Sequence, residues 1–308
     1  MTDKPFSPEE HFRVSSCSTH CTIDKYVGPG GDVVIPEEIG GLTVRGLLDI
    51  AGPWVSPFYK KPVTSVTLPR SITHLGEEAF SCCSTLREVF IPATLETMGS
   101  NPFTDCDALT TFHVAEDNPV FCAIDGALYR RDPLTLVAWP AGRGVDVVIP
   151  EGVERIGDRA FYWQKELRSI QLPESLRHIG SAAFEECSAL TALRIPDSFV
   201  CIEDCAFRDC IALAALDLGK GVSCIGSEAF AGCEALTSVH VPDSVTQLCP
   251  DAFDGCPALT DISLPGGVIQ DLSWGYPVVD CPPVFFSEHL LEPVTLNDIT
   301  PEIGKAHV

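Results

Sequence analysis

A repeat of 23 residues constrains the fold of this chain more than any other feature of its sequence. Phe, usually preceded by Ala, marks seven units, and we number each unit from this Phe as position zero. The seven are Phe80, Phe103, Phe161, Phe184, Phe207, Phe230 and Phe253. In every unit Leu occupies position six, and apolar residues occupy positions nine and eleven. This agreement is not expected by chance, so the chain is built from a repeated structural unit.

Positions nine to eleven predict a short strand in each unit. Two apolar residues separated by one variable residue have the period of two that is typical of a strand with one buried face. Proline usually follows at position twelve, where it ends the strand because it has no N–H to donate. Phe, Cys and Leu at positions zero, three and six suit one short 3₁₀ or α turn. A single unit cannot bury its own apolar face, so the units must stack.

The predicted fold is therefore an α/β repeat: a solenoid of about ten coils, with a parallel sheet on one face and short helical turns on the other. Strand ends between Pro36 and Pro265 set the number of coils. The position six before each Phe holds His74 and His178 but also Arg, Cys and Gln in other units, so we expect it to be exposed.

One stretch between Ala115 and Pro150 breaks the period. It is 35 residues long instead of 23, and Asp125-Gly126 stands between alternating apolar residues, which predicts a β-hairpin insertion at 118–140. We divide the rest of the chain by its departure from the repeat. The expected parts are an N-terminal extension (1–11), a single solenoid (12–294) with caps at 12–44 and 268–294, and a tail (295–308).

The repeat unit resembles the BspA-like class of leucine-rich repeats. Residues 222–242, Val-Ser-Cys-Ile-Gly-Ser-Glu-Ala-Phe-Ala-Gly-Cys-Glu-Ala-Leu-Thr-Ser-Val-His-Val-Pro, nearly match that consensus. The irregular stretch is similar to the interrupting unit of the family through Asn118, the run 125–129 and Trp139-Pro140. The resemblance extends over about residues 20–266. It implies a right-handed leucine-rich-repeat solenoid.

The resemblance also implies a function and a location. Members of the family are typically bacterial surface proteins that bind extracellular or host proteins and are not enzymes. The first ten residues carry three acids and two prolines where a signal peptide would carry an apolar segment. As written, the sequence therefore predicts a cytoplasmic protein, whereas the resemblance implies a surface or secreted one.

Composition and motifs exclude several other classes. Acids outnumber bases by 43 to 20, which argues against nucleic acid as a partner because phosphate binding needs clustered Lys and Arg. No apolar run reaches the roughly 18 residues needed to insert across a bilayer. The sequence contains no HExxH, GxSxG, Walker A or GxGxxG pattern. We therefore expect no enzymatic activity, no catalytic residues, no cofactor and no metal.

Cysteines are frequent, and their positions favour buried thiols. Six of them occupy position three and should form one column inside the coils: Cys83, Cys106, Cys187, Cys210, Cys233 and Cys256. Cys201 and Cys224 occupy the same position in adjacent units. Stacking of the units therefore explains why they lie close together, and a zinc site is not needed to explain it. Cys17, His20 and Cys21 lie in the predicted N-terminal cap. They can form a disulfide or a metal site there, or they can simply belong to the cap.

Position ten predicts the binding residues, because a side chain between two buried strand positions must point out of the sheet. The candidate protein-binding residues are Phe90, His113, Gln171, Arg194, Asp217 and His240. Aromatic residues and Arg are favoured as interface anchors, and a solenoid presents such a row as one extended surface. The sequence thus predicts a non-enzymatic, adhesin-like scaffold that binds another protein.

Three alternatives remain at this point. The chain can be a repeat protein that associates with itself. It can carry a metal-dependent or enzymatic site in the insertion or the N-terminal cap. The third alternative concerns the acidic C-terminal part, which holds twelve acids and one base from Gly221 onward. This part can increase solubility, or it can bind a basic partner or a cation.

Overall fold

The computed structural model describes residues 4–47, 56–198, 200–264 and 267–269. Within them the chain forms a parallel β-solenoid, as the repeat predicts. Ten strands, most of them at positions eight to eleven, lie along one side of the coils and pair in parallel in four groups, which together we call the first sheet: Gly31–Val34, Val63–Thr67, Glu88–Ile91 and Thr111–Val114; Asp146–Val148 and Ser169–Gln171; Ala192–Arg194 and Ala215–Asp217; Ser238–His240 and Asp261–Leu264. Gly267–Ile269 adds an antiparallel strand. The predicted C-terminal cap and tail lie almost wholly outside the described residues, and the domain boundaries stay a prediction.

A second sheet, which the sequence analysis missed, runs along another side of the coils. In the regular coils its strands are only two to four residues long, and His178–Ile179 pairs in parallel with Arg155–Ile156. The position six before each Phe is therefore a ladder position, and His178 is partly buried there instead of exposed. Its strands pair in two groups, which together we call the second sheet: a six-stranded group of Phe12–Ser16, His20–Tyr26, Glu38–Ile39, Leu42–Leu47, His74–Leu75 and Thr97–Met98, and an eight-stranded group of Phe121–Ile124, Ala127–Arg130, Thr135–Ala138, Arg155–Ile156, His178–Ile179, Val200–Ile202, Val222–Ile225 and Gln247–Leu248.

Tight turns replace the predicted short helical turns on the third side of each coil, which we call the turn side. Within the described residues the helices are two short 3₁₀ segments, Glu9–His11 and Ala141–Arg143, outside the regular coils. The residue two after the Phe has a positive φ, such as 58° at Cys82 and 63° at Glu186. A left-handed residue interrupts a right-handed helix, so the chain forms consecutive turns instead.

The turn side also holds neighbouring coils together by backbone hydrogen bonds. In the coil of Phe184, the amide of Phe184 donates to the carbonyl of Ala206 at 2.7 Å. The amides two residues before and after it, at Ala182 and Glu186, donate to the same neighbouring coil at 2.9 Å each. Both of these flanking residues are left-handed, with φ of 53° and 63°. Because alternate amides face the next coil, coil spacing is fixed on this side as well as in the two sheets.

The rings at position zero stack into a column inside the coils. Between Phe161 and Phe253 successive ring centroids lie 4.7, 4.9, 5.2 and 5.4 Å apart, with planes within 12° of parallel. Trp139 continues this column at 5.8 Å from Phe161. Full burial of one such ring contributes about 1.5–3 kcal/mol to folding. Irregular coils thus keep the column by using another aromatic residue.

Of the six cysteines predicted to form a buried column, five are buried and Cys256 is half-buried, and the thiols of the column make hydrogen bonds. Cys187 and Cys210 are fully buried, and each thiol lies 3.2 Å from the carbonyl oxygen of the Phe in the preceding coil. The same contact is 3.0 Å from Cys83 to Phe58. Burial raises the pKa of Cys83 to about 12, so the group stays a neutral thiol that can donate.

The hairpin predicted at Asp125-Gly126 is present, and it divides the core. Both residues have positive φ, 48° and 76°, as a tight two-residue hairpin turn requires. The inserted strands present alternate residues to two separate apolar clusters. Phe121, Leu128 and Ala138 pack into the N-terminal cluster, and Ala127, Tyr129 and Leu136 pack into the C-terminal cluster. The inserted strands therefore separate two apolar cores, and we call them the hairpin wall.

Close approach between coils, not backbone conformation, explains the glycine four before the repeat Phe. A Cβ added at Gly226 would lie 2.5 Å from Oδ1 and 2.7 Å from the amide nitrogen of Asp204 in the preceding coil. Oδ1 of Asp204 also accepts the amide of Ser227 at 2.8 Å. Where this position carries Glu203, the residue beneath it is Ser181, whose hydroxyl donates to the glutamate at 2.9 Å. The residue of the preceding coil thus decides whether a side chain fits.

We expect Gly226→Ala to lower the free energy of unfolding by about 1–3 kcal/mol, because the new methyl group displaces the backbone of Asp204. Urea unfolding followed by circular dichroism measures the change. Cys249→Ala, at the same position of the next coil, is the control, since a Cβ is already accommodated there. Equal stability of Gly226→Ala and the unchanged protein would contradict the steric explanation.

Candidate functional site

The outward side of the first sheet from Phe90 to Ser263, called here the display face, carries all six predicted residues. His113, Gln171, Arg194, Asp217 and His240 are exposed, and Phe90 is half-buried. Parallel pairing puts His113 beside Phe90, Asp217 beside Arg194, and Ser263 beside His240. The structure brings these residues together as neighbouring pairs along a row. It does not gather them into one pocket, because each coil adds about 4.8 Å to the length of the row.

Ring stacking and polar contacts link the paired residues. The rings of Phe90 and His113 stack with centroids 4.4 Å apart and planes 11° from parallel. His240 Nδ1 and the Ser263 hydroxyl oxygen are 2.5 Å apart. Arg194 Nε lies 3.7 Å from Asp217 Oδ2, and the two side chains are 67% and 69% exposed. An ion pair so exposed contributes less than about 1 kcal/mol, so a partner can replace it at little cost.

Val148 belongs to the display face and was missed by the sequence analysis. Its side chain is 61% exposed, and the residue pairs with Gln171 in the parallel ladder. The positions are numbered from the repeat Phe, and this coil has Trp139 in place of that Phe. Position ten was therefore not assigned in this coil. A signal was nevertheless present, since Val147-Val-Ile-Pro150 repeats the Val33-Val-Ile-Pro36 of an earlier coil. The row therefore offers aromatic, aliphatic, cationic and hydrogen-bonding groups.

Cys17 and Cys21 of the N-terminal cap are separate free thiols in different environments. Cys17 is exposed, with its sulfur 3.1 Å from His20 Nδ1, and hydrogen bonds from Thr19 lower the pKa of its thiol. Cys21 is buried, its thiol donates to the Leu42 carbonyl at 3.5 Å, and burial raises its pKa. Across residues 4–47, 56–198, 200–264 and 267–269, no three His, Cys, Asp or Glu side chains are grouped as metal ligands.

Cys201 and Cys224 form a disulfide, which corrects the expectation that they are thiols. They face each other in the second sheet, where Cys201 pairs with Cys224 and their Cα atoms are 4.9 Å apart. The cause is the repeat itself, since residues 23 apart are placed directly above one another. Cys210 lies elsewhere, in the buried column, so the cysteines of this region do not form one cluster.

Thiol chemistry gives a direct test of these environments. We expect iodoacetamide to label Cys17 at least about tenfold faster than Cys210 at neutral pH, because a thiolate is the reactive form. Hydrogen bonds lower the pKa of Cys17, whereas burial raises that of Cys210. Mass spectrometry after timed quenching measures both rates, and Cys17→Ser should remove the fast phase. Uniform labelling of the folded protein would show that the column is not buried.

Stacked coils with two parallel ladders and a tight-turn side define the class of protein: a leucine-rich-repeat solenoid. The chain belongs to the family of BspA type leucine-rich repeats, whose model matches six copies over residues 56–122 and 145–268. The interval between these two ranges contains Asp125-Gly126 and Trp139, so the wall that separates the cores is also where the regular repeat is interrupted.

Several solved structures are similar to this chain. A leucine-rich repeat protein from Bacteroides ovatus has a TM-score of 0.51 and 22% identity, with 85% of this chain and 65% of that chain covered. A leucine rich cell surface protein from Faecalibacterium prausnitzii has a TM-score of 0.41 and 21% identity, covering 85% and 89%. A leucine rich repeat protein from T. pallidum has a TM-score of 0.42 and 24% identity, covering 75% and 91%.

No protein of curated function matches this chain. Among the described residues, no helix has the length and apolar character needed to cross a membrane.

Proposed function

We propose that this protein is a non-enzymatic scaffold that binds another protein through its display face. The observation that carries the proposal is the row of outward side chains on the first sheet, in which Val148 is 61% exposed and pairs with Gln171. Membership in a leucine-rich-repeat family supports it, because stacked repeats present extended binding surfaces.

Rigidity of the row favours binding. Its side chains stand on strands that pair in parallel with a neighbouring strand, so little backbone entropy is lost when a partner docks. Phe90 and Arg194 are the expected anchors, since buried aromatic and Arg side chains dominate interface energies. The weak Arg194–Asp217 pair leaves both groups able to exchange for contacts with a partner.

The finer form of the proposal is adhesin-like: the partner is a host or extracellular protein. The family resemblance implies this class of partner. Self-association is the competing use of the same surface, and the experiment below distinguishes the two.

We expect the triple variant Phe90→Ala, Arg194→Glu and His240→Ala to lose at least about tenfold in partner capture. The measurement is affinity capture from host-cell and matrix extracts and from lysate of the producing cell. The changed side chains are exposed or half-buried, so the variant should keep the fold.

A control with the same three substitutions elsewhere is Phe6→Ala, Arg177→Glu and His20→Ala, all at exposed residues off the display face. It should capture as well as the unchanged protein. Equal capture by both variants would show that the display face is not the binding surface. If the only protein captured is a second copy of this chain, and the molar mass from light scattering rises with protein concentration, the display face mediates self-association instead of binding another protein.

A further inference from the structure

A groove of about 740 Å³ opens on the turn side, away from the display face. It forms where the coil of Trp139 is irregular. Asn101 Nδ2 donates to the carbonyl of Arg159 at 2.7 Å, so the coils before and after that of Trp139 touch directly at this point. Beside this contact, Asp105 of the earlier coil and Trp163 of the later one line the groove.

The lining of the groove is acidic. Three carboxylates, those of Glu78, Asp105 and Asp107, face it together with one base, Lys60. Burial raises the pKa of Glu78. Burial, and then the neighbouring charge of Asp105, raises the pKa of Asp107. The carboxylates are thus crowded and partly desolvated, and a bound cation would stabilise their charged form.

Two polar atoms at the groove are buried without a hydrogen-bond partner. Ser81 is only 2% exposed, and its hydroxyl oxygen makes no hydrogen bond. Oε2 of Glu78 is likewise buried and unpartnered. Buried polar groups in native proteins nearly always have partners, so these two acceptors point to a donor supplied by a ligand.

Aromatic side chains complete the lining. Trp163 is 36% exposed at a left-handed position that other coils fill with Cys82, Glu186 or Asp209, so packing of the repeat does not require an indole there. Next to it, Tyr162 also lines the groove. Lys165 Nζ lies 4.3 Å from the centroid of the Trp163 ring, which shows that this ring already attracts a cation.

Cations of the chain itself border the groove and already contact part of its lining, as Arg159 does over the ring of Tyr162 at 5.6 Å. Arg159 pairs with Glu77 and lies 3.7 Å from Glu78 Oε1. Lys165 lies 3.9 Å from Glu186. Lys60 Nζ stands 5.0 Å from the ring centroid of Tyr59. Oε2 of Glu78 and the hydroxyl of Ser81 remain without a donor.

We propose that this groove binds an arginine side chain presented by a partner protein. A guanidinium group is planar, stacks on aromatic rings and carries five N–H donors, which suits a lining of rings, carboxylates and an unpartnered hydroxyl. An ammonium group has three donors and no flat face. The groove shares no lining residue with the display face, so this inference does not rest on the function proposed above.

The test uses the whole chain and N-acetyl-arginine amide as the probe, followed by NMR of the Trp163 indole N–H, which Trp163→Phe assigns. We expect a saturable shift with a dissociation constant of about 1–10 mM, as suits one small side chain. N-acetyl-citrulline amide, which has nearly the same shape without the charge, should bind at least about tenfold more weakly.

A pair of variants locates the effect. Asp105→Asn should weaken binding about five- to tenfold by removing one charge-assisted contact, and Asn tolerates the left-handed backbone there. Asp209→Asn, at the same repeat position outside the groove, should leave binding unchanged.

Three results would each overturn the proposal. The first is equal binding of the citrulline compound, which shows that charge is not recognised. The second is equal binding by Asp105→Asn and the unchanged protein. The third is equally tight binding of N-acetyl-lysine amide and the arginine probe, which shows that the groove does not prefer a guanidinium group. The comparison of probes uses the unchanged protein, so it decides the matter even if a variant does not fold.

Discussion

Vertical register between coils is the physical constraint on which the other features of this solenoid depend. The turn-side amides donate to the next coil, and the two sheets do the same, so each residue lies above its counterpart. Like groups therefore meet: Phe184 stacks on Phe207 at 4.9 Å, and Cys201 bonds to Cys224. The surface obeys the same rule, because the stacked pair of Phe90 and His113 are counterparts in adjacent coils. Core, crosslink and display face are thus consequences of one spacing.

Features of the fold that repeat with a detectable period could be predicted from the sequence, and features without such a period could not. The period of two predicts the first sheet, the recurring Cys predicts a buried column, and Asp125-Gly126 predicts the hairpin. Strands as short as His178–Ile179 span less than one full alternation, so they leave no period to detect. Left-handed backbone at Cys82 was equally hidden, since such positions are usually recognised by glycine.

The same distinction applies to the candidate sites. Outward direction at position ten follows from strand alternation, so the six display-face residues could be named from the sequence, although their role in binding stays a prediction. Val148 was lost because its coil has Trp139 in place of the Phe from which positions are counted. The turn-side groove could not be found at all, since Lys60, Ser81, Asp105 and Trp163 come from four different coils and no local spacing links them.

The hairpin wall determines how stability is shared along the chain. In a stacked array each unit is stabilised by its immediate neighbours, so cooperativity passes from coil to coil through contiguous apolar contacts. Here the two apolar clusters are separated by the inserted strands. Melting that begins at the N-terminal coils can therefore stop at the hairpin while the coils of Phe161 to Phe230 stay folded. We therefore expect the two clusters to unfold as separate cooperative units.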